Sequence, residues 1–267
     1  MPTLKEIIGV IEVIAPPALS EPWDNSGLQV GDPGTGVKAV LVALDPLPEV
    51  MAEAGRLGAG LVVTHHPLFF GEVRRMELDR GAGAVVKAAV EGKIAVYSAH
   101  TSLDRAGMGV SDALASAVGL RATRPLAAVP GGPAGQGYGR VCRLPRPLKA
   151  KELARVIKAR LGVETLRLVG DPDAETGVAA LCGGSGASFM EDALAAGAGI
   201  YITGDLKYHD ALKALELGLP VIDVGHFASE RPAVPMMAGL LSGAFKKKRW
   251  KVAVKESHVQ GEPWTWL

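Results

Sequence analysis

Cysteine is nearly missing from this 267-residue chain: there are two, Cys142 and Cys182, far apart and in no metal-type spacing. That excludes a disulfide framework and fits a reducing compartment, so a cytoplasmic location is expected. Neither sign of charge is in excess, with 29 Lys+Arg against 28 Asp+Glu and a net charge of +1. A general nucleic-acid or membrane-surface binder is therefore not expected. No segment offers about 18 uninterrupted apolar residues, so no membrane span is expected either. Aromatic residues make up 5% of the chain, and the one basic run, FKKKRWK (245–251), contains a single tryptophan. Trp250 alone is too little for a base-stacking platform. The run reads as a solvated helix end, where the macrodipole favours lysine and arginine. What remains is ordinary globular material, 48% apolar and 21% charged, enough for one large or two medium domains.

The N-terminus, MPTLKEIIGVIEVIAPP, is apolar but carries Lys5, Glu6 and Glu12 and lacks the pattern of a secretory leader. Ile7, Ile8, Ile11 and Ile14 fall on one helical face, predicting a docked amphipathic helix that ends at Pro16–Pro17. Strand-like and helix-like stretches then alternate. Strands are predicted at 37–45, 60–66 and 94–100, with helices at 46–60, 82–93 and 110–120. Residues 124–140, dense in proline and glycine, are the best linker candidate. Alternation resumes with helices at 151–162, 189–198, 209–218 and 232–248 and strands at 165–170, 178–184, 199–205, 219–226 and 250–257. This pattern argues for an α/β fold with mixed sheets covered by helices. No short repeat and no low-complexity tract is visible.

Chemistry gathers at three strand ends. LVVTHHPLFF (61–70) closes one strand with His65 and His66. Neighbouring strand residues point to opposite faces, so both imidazoles can serve one site only if the chain leaves strand geometry there. Pro67, which forbids a ladder donor, fits such an exit. The doublet alone equally fits one packed and one exposed histidine. A second strand end, IAVYSAHTSLD, carries His100 and Asp104; a third, PVIDVGHFASE, carries His226 and Glu230. Pro232 reads as an early helical residue, which places His226 at the strand end and Glu230 at the helix entrance. In open α/β sheets ligands bind at the carboxyl ends of strands. Imidazole and carboxylate there make the ligand set of a two-metal hydrolytic site, suited to zinc, iron, manganese and similar divalent ions.

Seven stretches resemble one family in order over nearly the whole chain: EPWDNSGLQVG (21–31), VTHHPLFF (63–70), SAHTSLDRAGMGVSDALA (98–115), GYGRVCRL (137–144), CGGSGASF (182–189), YITGDLKYHDA (201–211) and IDVGHFASERP (222–232). On these the chain resembles the NIF-three-like proteins, whose members are called GTP cyclohydrolase 1 type 2 homologues. The length is that of the family's compact members, without the extra domain that longer ones insert at the central linker. The resemblance implies two divalent metal ions held by five ligands. His66 and Asp104 would hold one ion, His65 and His226 the other, with Glu230 bridging. It also implies a ring-shaped homohexamer.

Because ligands come from 65–104 and again from 226–230, a first domain of residues 1–125 plus 222–267 is expected, with a smaller α/β domain, 126–221, inserted into it. The site is expected in the cleft they form. His100 is the candidate for proton transfer, or else a structural histidine. Asn25, in the turn WDNSGL, and Lys207 and Tyr208, in TGDLKYHDA, are candidates for binding a small-molecule substrate, a nucleotide among the options. CGGSGASF could cradle a phosphate on its backbone amides, but it lacks the dinucleotide and P-loop signatures, and a tight turn is the better reading. Cys182 reads as a buried small residue. The expected function is hydrolysis by a metal-activated water. Alternatives are a phosphoesterase or nucleotide phosphatase, and a non-catalytic metal-binding or protein-interaction scaffold.

Overall fold

Helix formation begins where the sequence supplies a cap. Thr3 Oγ1 accepts from Glu6 N, and Glu6 Oε2 accepts from Thr3 N, so two amides that a helix end leaves bare are satisfied reciprocally. Helix α1 (Leu4–Ile14) follows and buries Leu4, Ile7, Val10 and Ile11. The buried stripe is thus shifted from the all-isoleucine face, and Ile8 and Ile14 stay half-exposed.

The computed structural model describes residues 1–265. The chain forms two compact units, one from Met1–Leu103 and Ala233–Gly261, the other from Asp104–Pro232 and the stretch that begins at Glu262. In the first, β1 (Gly27–Val30), β2 (Ala39–Ala43), β3 (Leu61–Thr64) and β4 (Ala95–Ser98) are joined through helices α2 (Pro48–Leu57) and α3 (Gly81–Gly92). Short helix α4 (Thr101–Asp104) follows β4. The sheet order is β1-β4-β3-β2-β11, the last being the C-terminal strand at Ala253–Glu256. Strands β4, β3, β2 and β11 run parallel and β1 is antiparallel to β4. Strands β2, β3 and β4 are buried along their whole length, as a parallel sheet with both faces covered requires.

The second unit starts with α5 (Val110–Val118), β5 (Arg121–Ala128) and β6 (Gly137–Lys149). It continues with α6 (Ala150–Leu161), β7 (Arg167–Val169), β8 (Glu175–Leu181), α7 (Met190–Ala195) and β9 (Ile200–Thr203). Then come α8 (Tyr208–Glu216), β10 (Val221–Asp223) and α9 (His226–Glu230). Helix α10 (Ala233–Lys247) returns the chain to the first unit and leads into β11. The second sheet is mixed, in the order β5-β6-β8-β9-β10-β7. One side of it packs Leu114, Leu153, Ile157 and Ile202, and the other Met190, Tyr201, Leu219 and Val221.

Three sequence expectations change. The Pro/Gly-rich tract is a hairpin, not a linker: β5 and β6 pair antiparallel from Arg121↔Arg143 to Ala128↔Gly137, with a shift in register between Ala122 and Arg124. Its prolines sit in or beside an edge strand, where a missing amide costs no ladder bond. The units therefore divide at 103/104 and 232/233 rather than at 125/126 and 221/222, because β5 and β10 both pair within the second sheet. HFASE forms one helical turn of its own, α9, so His226 and Glu230 lie four apart on one helix face. The basic run follows expectation. Lys246 and Lys247 close α10, Phe245 is buried, and Trp250 packs on it.

Candidate metal centre

The histidine doublet leaves strand geometry through a shared acceptor. His65 N and His66 N both donate to Leu44 O, at 3.1 and 2.9 Å. Thr64 Oγ1 donates to His66 O at 2.7 Å, which locks the turn. His65 is buried, and the His66 side chain is 14% exposed. His100 stands beside them, its ring centroid 5.2 Å from that of His65 and 5.7 Å from that of His66. One ligand atom from each of these histidines lies within 4.8 Å of those of the other two.

Each imidazole has its Nδ1 occupied. His65 Nδ1 lies 3.0 Å from Ala99 O, an atom that can only accept, so Nδ1 carries the proton. His66 Nδ1 faces Asp45 Oδ1 at 2.7 Å, and His100 Nδ1 faces Asp24 Oδ1 at 2.8 Å. A neutral imidazole protonated at Nδ1 presents a lone pair at Nε2, the tautomer that binds metal, and a carboxylate or carbonyl behind the ring is the usual device that fixes it.

Asp24 is the most constrained acid of the group. Its Oδ2 accepts from Ser26 Oγ at 2.7 Å, Thr101 Oγ1 at 2.6 Å and Thr101 N at 3.1 Å. Burial would raise this carboxyl, but the hydrogen bonds from Ser26, Thr101 and His100 outweigh it and hold the group at about 2. Burial, then the nearby His65, pulls His100 below its ordinary range against the opposing Asp24. His100 is neutral at pH 7 on this account.

The second unit builds a matching arrangement on α9. His226 Nδ1 faces Asp205 Oδ2 at 2.7 Å, and its Nε2 lies 3.1 Å from Glu230 Oε2. An imidazole with a carboxyl oxygen at each nitrogen calls for a further proton, on the ring or on a carboxyl, or for a metal ion. This donor set fits a divalent cation. Glu230 is buried. Its space is kept open by Gly184, where a Cβ would strike Glu230 Oε1 and come within 3.6 Å of His226 Cε1. Asp205 holds a left-handed backbone, φ 55°, which aspartate tolerates better than most residues.

The remaining candidates take different places. Asp104 closes α4, half-buried, four residues after His100. Asn25 is exposed and its Nδ2 donates to Phe69 O at 2.9 Å and Gln29 Oε1 at 3.1 Å, so it braces the loop after the histidine doublet. Lys207 and Tyr208 are exposed at the start of α8, just beyond Asp205. CGGSGASF is a tight turn: Gly184 N donates to Ser229 Oγ and Gly186 N to Thr203 Oγ1, so these amides are used internally. Cys182 is buried, and burial pushes its thiol up to about 12, far from a nucleophile's range. Sequence reasoning missed the acids behind the rings, Asp24, Asp45 and Asp205. Each follows a strand or sits in a quoted motif, but nothing in the bare sequence pairs it with its histidine.

Among the described residues no helix is long and apolar enough to cross a membrane. Comparison with known proteins places the arrangement in context. A Streptomyces coelicolor protein named GTP cyclohydrolase 1 type 2 homolog is 38% identical over 99% of this chain and 94% of its own length. Protein NIF3 homolog of Schizosaccharomyces pombe is 31% identical over 96% of this chain and 95% of its own. The crystal structure of a Bacillus cereus protein related to NIF3 has the same fold, with a TM-score of 0.93 at 24% identity over 100% of this chain and 99% of that one. The family described as Duf34/NIF3 (NGG1p interacting factor 3) matches residues 2–263. With that match spanning almost every residue, the chain belongs to the Duf34/NIF3 family.

Proposed function

We propose that this protein is a metal-dependent hydrolase of the kind its relatives' name suggests, with His65, His66, Asp104, His226 and Glu230 holding two divalent cations. The observation that carries the reading is the common state of the imidazoles: His65, His66 and His226 each have Nδ1 against an oxygen acceptor, the arrangement that orients a ligating imidazole. Bound divalent cations would lower the pKa of a water and polarise the bond it attacks. His100 accepts the proton at Nε2, because its Nδ1 stays committed to Asp24. Lys207 and Tyr208 are exposed side chains available to a small anionic substrate, and Asn25 holds the loop that carries Phe69. A nucleotide, GTP among them, is the substrate class to screen first, and a phosphoester the second. A cytoplasmic homohexamer completes the reading.

The test joins metal content with turnover. Elemental mass spectrometry on the purified chain should find about two ions, and His66→Ala should lose at least one. Glu230→Gln should stay folded and lose hydrolysis of the screened nucleotides by about 10²- to 10³-fold, the order expected for removing an electrostatic group from a reacting centre. A folded chain that takes up no divalent metal on reconstitution sinks the hydrolase reading and favours a scaffold.

A further inference from the structure

The Asp45 carboxylate that faces His66 is itself held by a side chain from the far end of the same unit. Gln260 Nε2 donates to Asp45 O at 3.0 Å and to Asp45 Oδ2 at 3.3 Å. Gln260 Oε1 accepts from Leu44 N at 2.7 Å and from Asp45 N at 3.3 Å. The amide cannot be turned round, since two backbone N–H groups require its oxygen and two acceptors require its nitrogen. Asp45 is thus gripped at its backbone N–H, its backbone carbonyl and its side chain. Leu44 O, on the same short stretch, is the acceptor that the amides of His65 and His66 share.

The segment that delivers Gln260 is firmly seated. Strand β11 pairs with β2 from Ala253↔Ala39 to Glu256↔Val42. Beyond it Ser257 N donates to Val42 O at 2.8 Å, and Ser257 Oγ donates to Glu53 Oε2 at 2.5 Å. Gln260 is half-buried at the end of this tether.

We propose that Gln260 is a positioning residue for His66: it aims the Asp45 carboxylate that fixes the ring's tautomer and direction. The functional consequence rests on the metal-centre reading above, while the effect on the His66 ring does not. Gln260 touches neither substrate nor cation in this scheme and acts only through Asp45. Outer hydrogen-bond partners of a ligating histidine ordinarily change metal affinity about 10- to 100-fold when removed.

Gln260→Glu separates steering from simple packing. It keeps an oxygen for the amides of Leu44 and Asp45 but replaces the donor toward Asp45 with a second carboxylate oxygen. Gln260→Ala removes both. The full-length chain and each variant would be followed by thermal melting, by zinc titration, and by long-range proton–nitrogen NMR of the imidazoles. Wild type should show His66 protonated at Nδ1. Gln260→Glu should melt within a few degrees of wild type, bind the His66-dependent zinc about 10-fold more weakly, and show a mixed His66 tautomer. Asp45→Asn should weaken the same zinc, and adding Gln260→Glu to it should cost little more. Unchanged His66 signals and zinc affinity in both Gln260 variants would overturn the proposal. If wild type binds no zinc, the metal reading fails, and the His66 spectra alone decide: a mixed tautomer in Gln260→Glu supports the positioning role, and an unchanged one ends it.

Discussion

A histidine is ambiguous until something fixes its proton, and here oxygen atoms do so four times. Asp24 shows what that costs in acid. Its carboxyl, ordinarily near 3.8, is held at about 2 with its side chain 1% exposed, so folding favours the ionised form. A depressed carboxylate pKa contributes stability that is fully present above about pH 4 and is lost as pH falls through 2. The shift is worth about 2 kcal/mol. Asp24→Asn should therefore lower stability at neutral pH by about that amount and flatten the acid limb of the unfolding curve between about pH 4 and 2, measured by urea melts at stepped pH. Gly184 gives a second prediction. Its φ of 67° and the nearness of Glu230 leave no place for a methyl group. Gly184→Ala should cost about 1–3 kcal/mol in a thermal melt and release any metal bound through Glu230. Of these residues the histidines, Asp104 and Glu230 stood out in the sequence by chemistry and by family pattern. Asp24, Asp45 and Asp205 did not, because an aspartate near a strand end is ordinary until its neighbour strand is known.

Strand register is what makes those aspartates intelligible. Strands β2, β3 and β4 are parallel, and Ala43 pairs with Thr64, which pairs with Ser98. Two residues beyond that shared level stand Asp45, His66 and His100, while His65 and Ala99 meet one residue beyond it. The alternation of strands and helices was legible from hydrophobic periodicity; the strand order and register were not, since they are set by contacts distant in sequence. Local signals also misled. Proline and glycine between 124 and 140 spelled a linker, yet they serve an edge hairpin whose β6 carries Arg140 into the interior. The Arg140 fork donates to Asp112, Ala106 O, Gly137 O and Gly139 O. Arg140→Ala would strand these acceptors and should destabilise the second unit by about 3–5 kcal/mol in urea, with Arg140→Lys failing to restore it, because an ammonium cannot reproduce the fork.

For the molecule as a whole, the proposed hexamer is the simplest quantity to check: light scattering should report six times the 27.7 kDa chain mass, and a monomeric mass would remove that part of the reading. Near-zero net charge gives little electrostatic repulsion between copies, which is compatible with association. Order along the chain carries a further consequence. Strand β2 ends at Ala43, while its outer neighbour β11 begins at Ala253. A ribosome adding roughly 5–20 residues per second needs about 10–40 s to cover that distance. Throughout that time the nascent first unit presents β2, an apolar strand, as an open edge. Newly made chains are thus most exposed to mispairing and to chaperone capture before β11 emerges.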